Sequence, residues 1–282
     1  MAIYSSLFLG LFALLLVRSS KVTCEETVSV SPTIDISINR NTFPQGFIFG
    51  AGSSSYQLRS RIEATETWPL TPTIITSMRS LVRTRLPKFT AEQARLLIGS
   101  FDFIGLNYYS TTYATDAPQL SNDNPSYLTD SLVTAAFERD GKPIGIKIAS
   151  DWLYVYPRGI RDLVLYTKEK YNNPLIYITE NGVNEYNEPS LSLEESLMDT
   201  FRIDYHYRHL YYLLSAIRNG ANVKGYYVWS FFDNFEWTSG YTSRFGMIFI
   251  DYKNGLKRYP KLSATWYKNF LKKKTRLYSS SK

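Results

Sequence analysis

Along the chain, short apolar runs alternate with stretches in which apolar residues recur every three to four positions. Residues 47–51 (FIFGA) form the first run and close on Gly52 and three serines, which predicts a buried strand ending in a loop. Residues 90–100 begin with Thr90 and carry Glu92 and Gln93 in the first turn, predicting a short helix stopped near Gly99. A second strand is predicted over residues 101–109 (FDFIGLNYY). Residues 122–151 read as a loop, with turn signals at Asn124-Pro125 and Gly141-Lys142-Pro143. Pro157 and Gly159 introduce a helix to about Lys170, which Asn172-Asn173-Pro174 stops. Residues 175–179 (LIYIT) predict a third strand leading into Glu180-Asn181-Gly182. Ser192 and Glu195 form a capping box for one long helix to about Asn219, ahead of Gly220. Residues 224–232 (KGYYVWSFF) predict a fourth strand, and a last helix spans residues 259–273.

Strands that alternate with helices and are apolar on both faces place the chain in the α/β class with a parallel sheet. Only four strands are legible, and residues 57–90 contain none. With 44% hydrophobic, 16% aromatic and 20% charged residues, the 282-residue chain is excluded from the disordered, collagenous and coiled-coil classes. Its net charge of +7 hints at a polyanion partner, but the excess is local. Ten basic residues and no acid lie between Lys253 and Lys282, which leaves the rest of the chain slightly acidic. Lys272 to Arg276 reads as a solvated helix end, where cations suit the negative pole of the macrodipole, so no nucleic-acid partner is expected.

Residues 7–17 (LFLGLFALLLV) are too short to span a hydrocarbon core of about 30 Å and fit the apolar region of a secretion signal. Val22 and Cys24 are small enough for positions −3 and −1 of a cleavage site. The expected organisation is therefore a signal peptide over 1–24 and a single domain over 25–282, in the secretory pathway, outside the cell, in the cell wall or in the vacuole. Cleavage removes the only cysteine, so the body relies on its own core rather than on disulfides. No second apolar segment approaches the length of a membrane span, and Pro125 disqualifies the one Asn-x-Ser/Thr pattern.

The strand ends carry residues that a core does not need: Asn107-Tyr108-Tyr109, Thr179-Glu180-Asn181-Gly182, and the run from Trp229 to Trp237 (WSFFDNFEW). In α/β barrels the carboxyl ends of the strands form the active-site face, which makes a lone Glu there a candidate catalytic group. Taken with GYTSRFG (240–246), FIFGAGSSSYQ (47–57), FDFIGLNYYS and WLYVYPRGI, these motifs resemble the family-one retaining β-glucosidases in their plant form. The resemblance implies a (β/α)₈ barrel and hydrolysis of terminal non-reducing β-D-glucosides by double displacement, with no cofactor, no metal and a small-molecule glycoside as partner. It implies Glu180 as nucleophile and Tyr109 as the group that orients it. It further implies glycone binding by Gln57, Asn107, Glu236 and Trp237, a Trp229 platform beneath the sugar, and lining by Trp152 and Phe245. A Glu236 carboxylate would repel a phosphate, which disfavours 6-phosphoglycosides.

Retaining hydrolysis needs two carboxyl groups roughly 5 Å apart. The family takes its general acid from an Asn-Glu-Pro motif at the end of the fourth barrel strand. This chain's Asn187-Glu188-Pro189 stands seven to nine positions after Glu180 in a polar loop, and it reads as a turn before a helix rather than as that acid. His206 and His209 likewise read as helix-packing residues rather than metal ligands. Matched by motif, the four strands resemble the first, sixth, seventh and eighth of the barrel, and the second to fifth fall in a gap between Gln57 and Trp68. What remains is an incomplete barrel in the order six, seven, eight, one. Two open edges and an uncovered inner face, forfeiting about 25 cal/mol for each Å² left in water, predict instability or aggregation. Loss of the acid predicts impaired hydrolysis, about 10²- to 10⁴-fold for a poor leaving group. A catalytically dead sugar-binding protein is the alternative.

Overall fold

The computed structural model describes residues 37–54, 89–97, 99–117 and 133–272. The expected signal sequence, Gln57, the gap after it and the end of the basic tail lie outside the described residues. Four parallel strands form the central sheet: β1 (Ile48–Ala51), β2 (Ile104–Tyr108), β3 (Ile176–Asn181) and β4 (Val223–Val228). Their order is β1-β4-β3-β2, the arrangement expected for strands one, eight, seven and six. The helices are α1 (Ala91–Leu97), α2 (Arg158–Lys170), α3 (Leu193–Leu197), α4 (Thr200–Arg218) and α5 (Leu262–Leu271).

One face of the sheet meets the helices. Leu106 and Tyr108 of β2, Ile176 and Ile178 of β3 and Tyr226 and Val228 of β4 are buried in one cluster with Ile160, Val164, Leu210, Leu213 and Phe270. Because side chains alternate along a strand, the neighbouring positions line the opposite, concave face. There the residues alternate between bulk and absence of bulk across strands. A Cβ on Gly225 would lie 2.5 Å from the Tyr177 ring, and one on Gly50 would lie 2.4 Å from the Tyr227 ring. The glycines of these motifs thus give each tyrosine room to lie over the next strand.

Several boundaries differ from the sequence reading. The helix expected from Ser192 to Asn219 is two helices broken at Met198 and Asp199. The Ser192–Glu195 capping box forms as expected, but Asp199 turns inward to accept hydrogen bonds from Ser263 N–H and Oγ (2.8 and 2.5 Å), and its backbone leaves the helical region. Asp199 is buried and ion-paired to Arg202, so tertiary contacts overrule local helix propensity. The last helix begins at Leu262, because Lys257–Pro260 pairs antiparallel with Ile248–Asp251. Pro260 biases its predecessor to extended backbone, consistent with that start.

The stretch read as a loop contains antiparallel pairs: Tyr113–Asp116 with Val133–Ala136, Glu138–Arg139 with Lys142–Pro143, and Ile146–Lys147 with Tyr154–Val155. Asp140 and Gly141 both take positive φ (54° and 70°), the two-residue turn that matches strand twist in a hairpin. The fourth strand ends at Val228, four residues earlier than expected, where the chain turns out over the sheet end.

Candidate active site

The carboxyl ends of β2, β3 and β4 converge on Glu180. β3 carries it, and a register irregularity opposite Leu106 and Asn107 shifts the pairing so that Asn107 faces Glu180 and Tyr108 faces Asn181. Tyr109, one residue beyond β2, donates its hydroxyl proton to Glu180 Oε2 at 2.6 Å. Asn107 adds a second hydrogen bond to Glu180 and accepts one from Thr179 Oγ1 at 2.6 Å. Burial raises the Glu180 carboxyl above its ordinary value, while the Tyr109 and Asn107 hydrogen bonds pull it back down. Tyr109 is itself pushed well up by burial and by the Glu180 charge, so it remains a proton donor across the working pH range.

Glu236 enters from the segment after β4. Burial drives its carboxyl up to about 8, against hydrogen bonds from Trp229 and Asn234 that lower it, and the charges of Glu180 and Asp233 add to the rise. A carboxyl held there is mostly protonated at pH 7, so the anion expected to repel phosphorylated sugars is the minority form. Trp229 is buried, packed with Tyr109, Leu153, Val183 and Phe245. The Tyr109 ring meets Trp152 and Phe245 edge-on, with centroids 5.9 Å away in both cases. Trp152 and Trp237 are exposed at the rim, and Trp237 opens a short 3₁₀ turn with φ of 50°. The structure thus brings Asn107, Tyr109, Trp152, Glu180, Trp229, Glu236 and Phe245 together, with Trp237 directly after Glu236 in the chain.

Two polar networks that the sequence reading did not single out hold this arrangement. Asn181 donates to the Tyr108 carbonyl (2.8 Å) and to Tyr205 Oη (2.9 Å), and accepts from Tyr226 Oη (2.5 Å). Tyr205 in turn donates to the Tyr109 carbonyl at 3.2 Å. Since the Tyr226 proton goes to Asn181, His206 Nδ1, 2.8 Å from Tyr226 Oη, must be the donor of that pair. His209 bonds the Tyr205 carbonyl through Nδ1 at 2.7 Å. Both histidines are fully buried on α4, and burial holds His209 at about 3 and His206 well below its ordinary value. They are packing residues, and no cluster of metal ligands occurs among the described residues.

The second network is ionic. Arg202, Arg244 and Lys261 meet Asp199, Asp233 and Glu185 below the loop that carries Glu236. Asp233 also accepts from the backbone N–H groups of Gly246 (2.9 Å) and Ile250 (3.2 Å), which ties the chain after β4 to the GYTSRFG loop. The available signal was an Arg and an Asp inside otherwise apolar runs, at Arg244 and Asp233. Gly182 permits the closest approach in the site, since a Cβ there would lie 1.8 Å from the Trp229 carbonyl oxygen.

Asn187-Glu188-Pro189 sits apart from this chemistry. Glu188 is exposed and accepts from the N–H and Oγ of Ser190 (3.2 and 2.8 Å), which lower its carboxyl further. Asn187 bonds the Tyr241 carbonyl and receives Arg244 Nε at 2.8 Å, so the motif fastens a loop. The turn expected from the sequence is what the chain builds.

Glycosyl hydrolase family 1 matches over residues 72–276. Relatives include a protein named β-glucosidase 12 of Oryza sativa subsp. indica, 59% identical over 197 residues that cover 70% of this chain and 39% of the relative. Another is the isoflavonoid 7-O-β-apiosyl-glucoside β-glycosidase of Dalbergia nigrescens, 59% identical over 195 residues, covering 69% of this chain and 36% of that protein. Among solved structures, a rice β-glucosidase aligns with a TM-score of 0.66 at 44% identity, over 70% of this chain and 42% of its own. A family 1 β-glucosidase from the fungus Humicola insolens, solved with glucose, aligns with a TM-score of 0.63 at 38% identity, over 69% and 41%. The chain spans about two-fifths of the length of the relatives it matches. Strand order, motif positions and family match agree, and the chain belongs to glycosyl hydrolase family 1 as an incomplete (β/α)₈ barrel.

Proposed function

We propose that this chain hydrolyses terminal β-D-glucosides through Glu180 by a retaining double displacement. The observation that carries this reading is the 2.6 Å hydrogen bond from Tyr109 to Glu180 Oε2 at the carboxyl end of a parallel sheet, beside Glu236 and Trp229. A carboxylate held by one phenol and one amide keeps a defined lone pair for attack. Glu180 attacks the anomeric carbon, the bond from that carbon to the aglycone oxygen breaks, and its electron pair leaves with the aglycone. Water then attacks the same carbon, the glycosyl–Glu180 bond breaks, and a proton passes to solvent.

Glu236, mostly protonated, would donate to a sugar hydroxyl, with Asn107, Trp229 and Trp237 around the glycone and Trp152 on the aglycone side. With the Asn-Glu-Pro acid missing, the aglycone leaves unprotonated, which favours activated leaving groups such as nitrophenolates and slows ordinary glucosides by about 10²- to 10⁴-fold. The amino-terminal 24 residues are proposed as a cleaved secretion signal, with the mature domain from residue 25 in the secretory pathway.

The test is incubation with 2,4-dinitrophenyl 2-deoxy-2-fluoro-β-glucoside and mass spectrometry of the intact protein and its peptides. A stable adduct on the peptide containing Glu180, lost in Glu180→Gln, is expected. A folded protein that binds glucose but forms no adduct would identify a sugar-binding protein without chemistry.

A further inference from the structure

The sheet stops at four strands, and both of its edge strands remain open among the described residues. Ile104 N–H donates to the Leu175 carbonyl at 2.8 Å, on the β3 side, so the peptide groups of Gly105, next in alternation, point away from the sheet. Gly52 N–H donates to the Val228 carbonyl at 2.7 Å, which turns the peptide groups of Phe49 and Ala51 to the outer edge of β1. Unpaired donors and acceptors on a parallel strand are a template for another parallel strand.

Exposed apolar side chains gather at these same edges. Ile48 on β1 is 45% exposed, and Phe103 at the start of β2 is 47% exposed. Phe89, Leu96, Leu97 and Phe101, on and around α1, are exposed as well, and α1 buries none of its described residues. α1 precedes β2 in the chain, with Phe101 and Phe103 between the helix and the strand. In a closed barrel a helix in that place covers the seam to the next strand.

We infer that a second copy of this chain covers both edges, and that two copies close one eight-stranded barrel around a two-fold axis along its centre. All four strands run in one direction, so such a rotation sets β1 of each copy parallel to β2 of the other and fills both edges at once. The barrel of this family has eight strands, and the curvature of its half is the curvature that closes after two copies. The α1 helix of each copy would lie over the seam, and Ile48 and Phe103 would enter the shared interior. Each Glu180 would then face the partner's sheet across one lumen, which supplies the wall that the four-stranded unit lacks. This proposal is independent of whether Glu180 reacts, because its measurements are mass and amide protection.

The experiment is sedimentation velocity and light scattering of the purified chain over micromolar concentrations, with hydrogen exchange of β1 and β2 in parallel. A species of twice the chain mass is expected, with slow exchange at Phe49, Ala51 and Gly105. Ala51→Pro removes an edge donor without touching the β4 ladder. Because the substitution occurs at both seams, it should weaken the dimer about 25-fold, two lost hydrogen bonds at about fivefold each. Phe103→Lys should weaken it too, whereas Ile146→Lys, at an exposed apolar site away from both edges, should not. Circular dichroism checks that each variant is folded, and the wild-type exchange pattern stands by itself should a variant unfold. A monomer with fast edge exchange would overturn the proposal. So would a monomer with protected edges, which would assign the covering to residues 55–88 of the same copy, or an open series of larger species.

Discussion

Replacing Glu236 by Gln removes one ionisable group at constant size and should change how stability depends on pH. Burial, reinforced by the charges of Glu180 and Asp233, holds the Glu236 carboxyl at about 8 in the folded chain against an ordinary value of 4.5. Between those values the folded chain keeps a proton that the unfolded chain releases. The slope of unfolding free energy with pH follows protons bound unfolded minus protons bound folded, which is negative here, so stability falls as pH rises. Each pH unit within the window costs about 1.4 kcal/mol, giving roughly 3 kcal/mol lost by pH 7 and roughly 5 kcal/mol above pH 8. Below the ordinary value both states hold the proton and the contribution vanishes.

The assay is urea unfolding of wild type and Glu236→Gln, followed by tryptophan fluorescence from pH 4.5 to 8.5 at one protein concentration. His206 and His209, whose lowered values make stability rise with pH over an overlapping range, are present in both proteins and cancel in the difference. The variant should gain on the wild type by about 1.4 kcal/mol per pH unit up to pH 8 and then level off. A difference that stays flat would mean that Glu236 titrates like a solvated carboxyl, and the site described around Trp229 and Glu180 would be wrong.

Tyr109→Phe removes a hydrogen bond to a charged carboxylate, worth about 1.5 to 3 kcal/mol, so 2-fluoroglucoside labelling of Glu180 should slow roughly 10- to 100-fold. Its pH profile should also move upward, because that hydrogen bond holds the Glu180 carboxyl down. Asp233→Asn leaves Arg244 and Lys261 short of a buried counter-charge and should lower unfolding free energy by about 3 to 5 kcal/mol, read from denaturant midpoints. Gly182→Ala drives a methyl into the Trp229 carbonyl, so about 3 kcal/mol or more of stability should go, with slower labelling in whatever folds. Glu188→Gln should leave labelling unchanged and stability within about 0.5 kcal/mol, since Glu188 only closes an exposed turn on Ser190.

The sheet was legible because its strands are apolar runs buried by helices on one face and end in polar and aromatic residues that a core does not need. Apolar runs such as IYIT and GYYV carry no other reading, and their order followed from motif positions. The break at Asp199 was hidden, because it depends on Ser263, sixty-four residues away, and no local pattern encodes that partner. The same holds for Lys257–Pro260, whose strand character exists only against Ile248–Asp251. At the site, Tyr109 and Glu180 could be named from their motifs, but the support beneath them could not. Asn181 looks like an ordinary turn residue until Tyr108, Tyr205 and Tyr226 are seen to converge on it.

What lets half a barrel keep half a site is the adjacency of its parts. Tyr109 reaches Glu180 because β2 and β3 are neighbours, and Asn181 joins β2, β3, β4 and α4 through single hydrogen bonds. Glu236 hangs from β4, the next strand over, and Asp233 anchors that segment through Arg244 and Lys261. None of these contacts needs a strand outside the four of the sheet, so the surroundings of Glu180 stand without one. In the family that the chain belongs to, by contrast, the proton donor for the aglycone stands at the end of the fourth barrel strand, which this sheet does not include. The attack proposed for Glu180 therefore draws on the part of the site that neighbouring strands build. Its rate should depend steeply on how well the aglycone leaves without a proton.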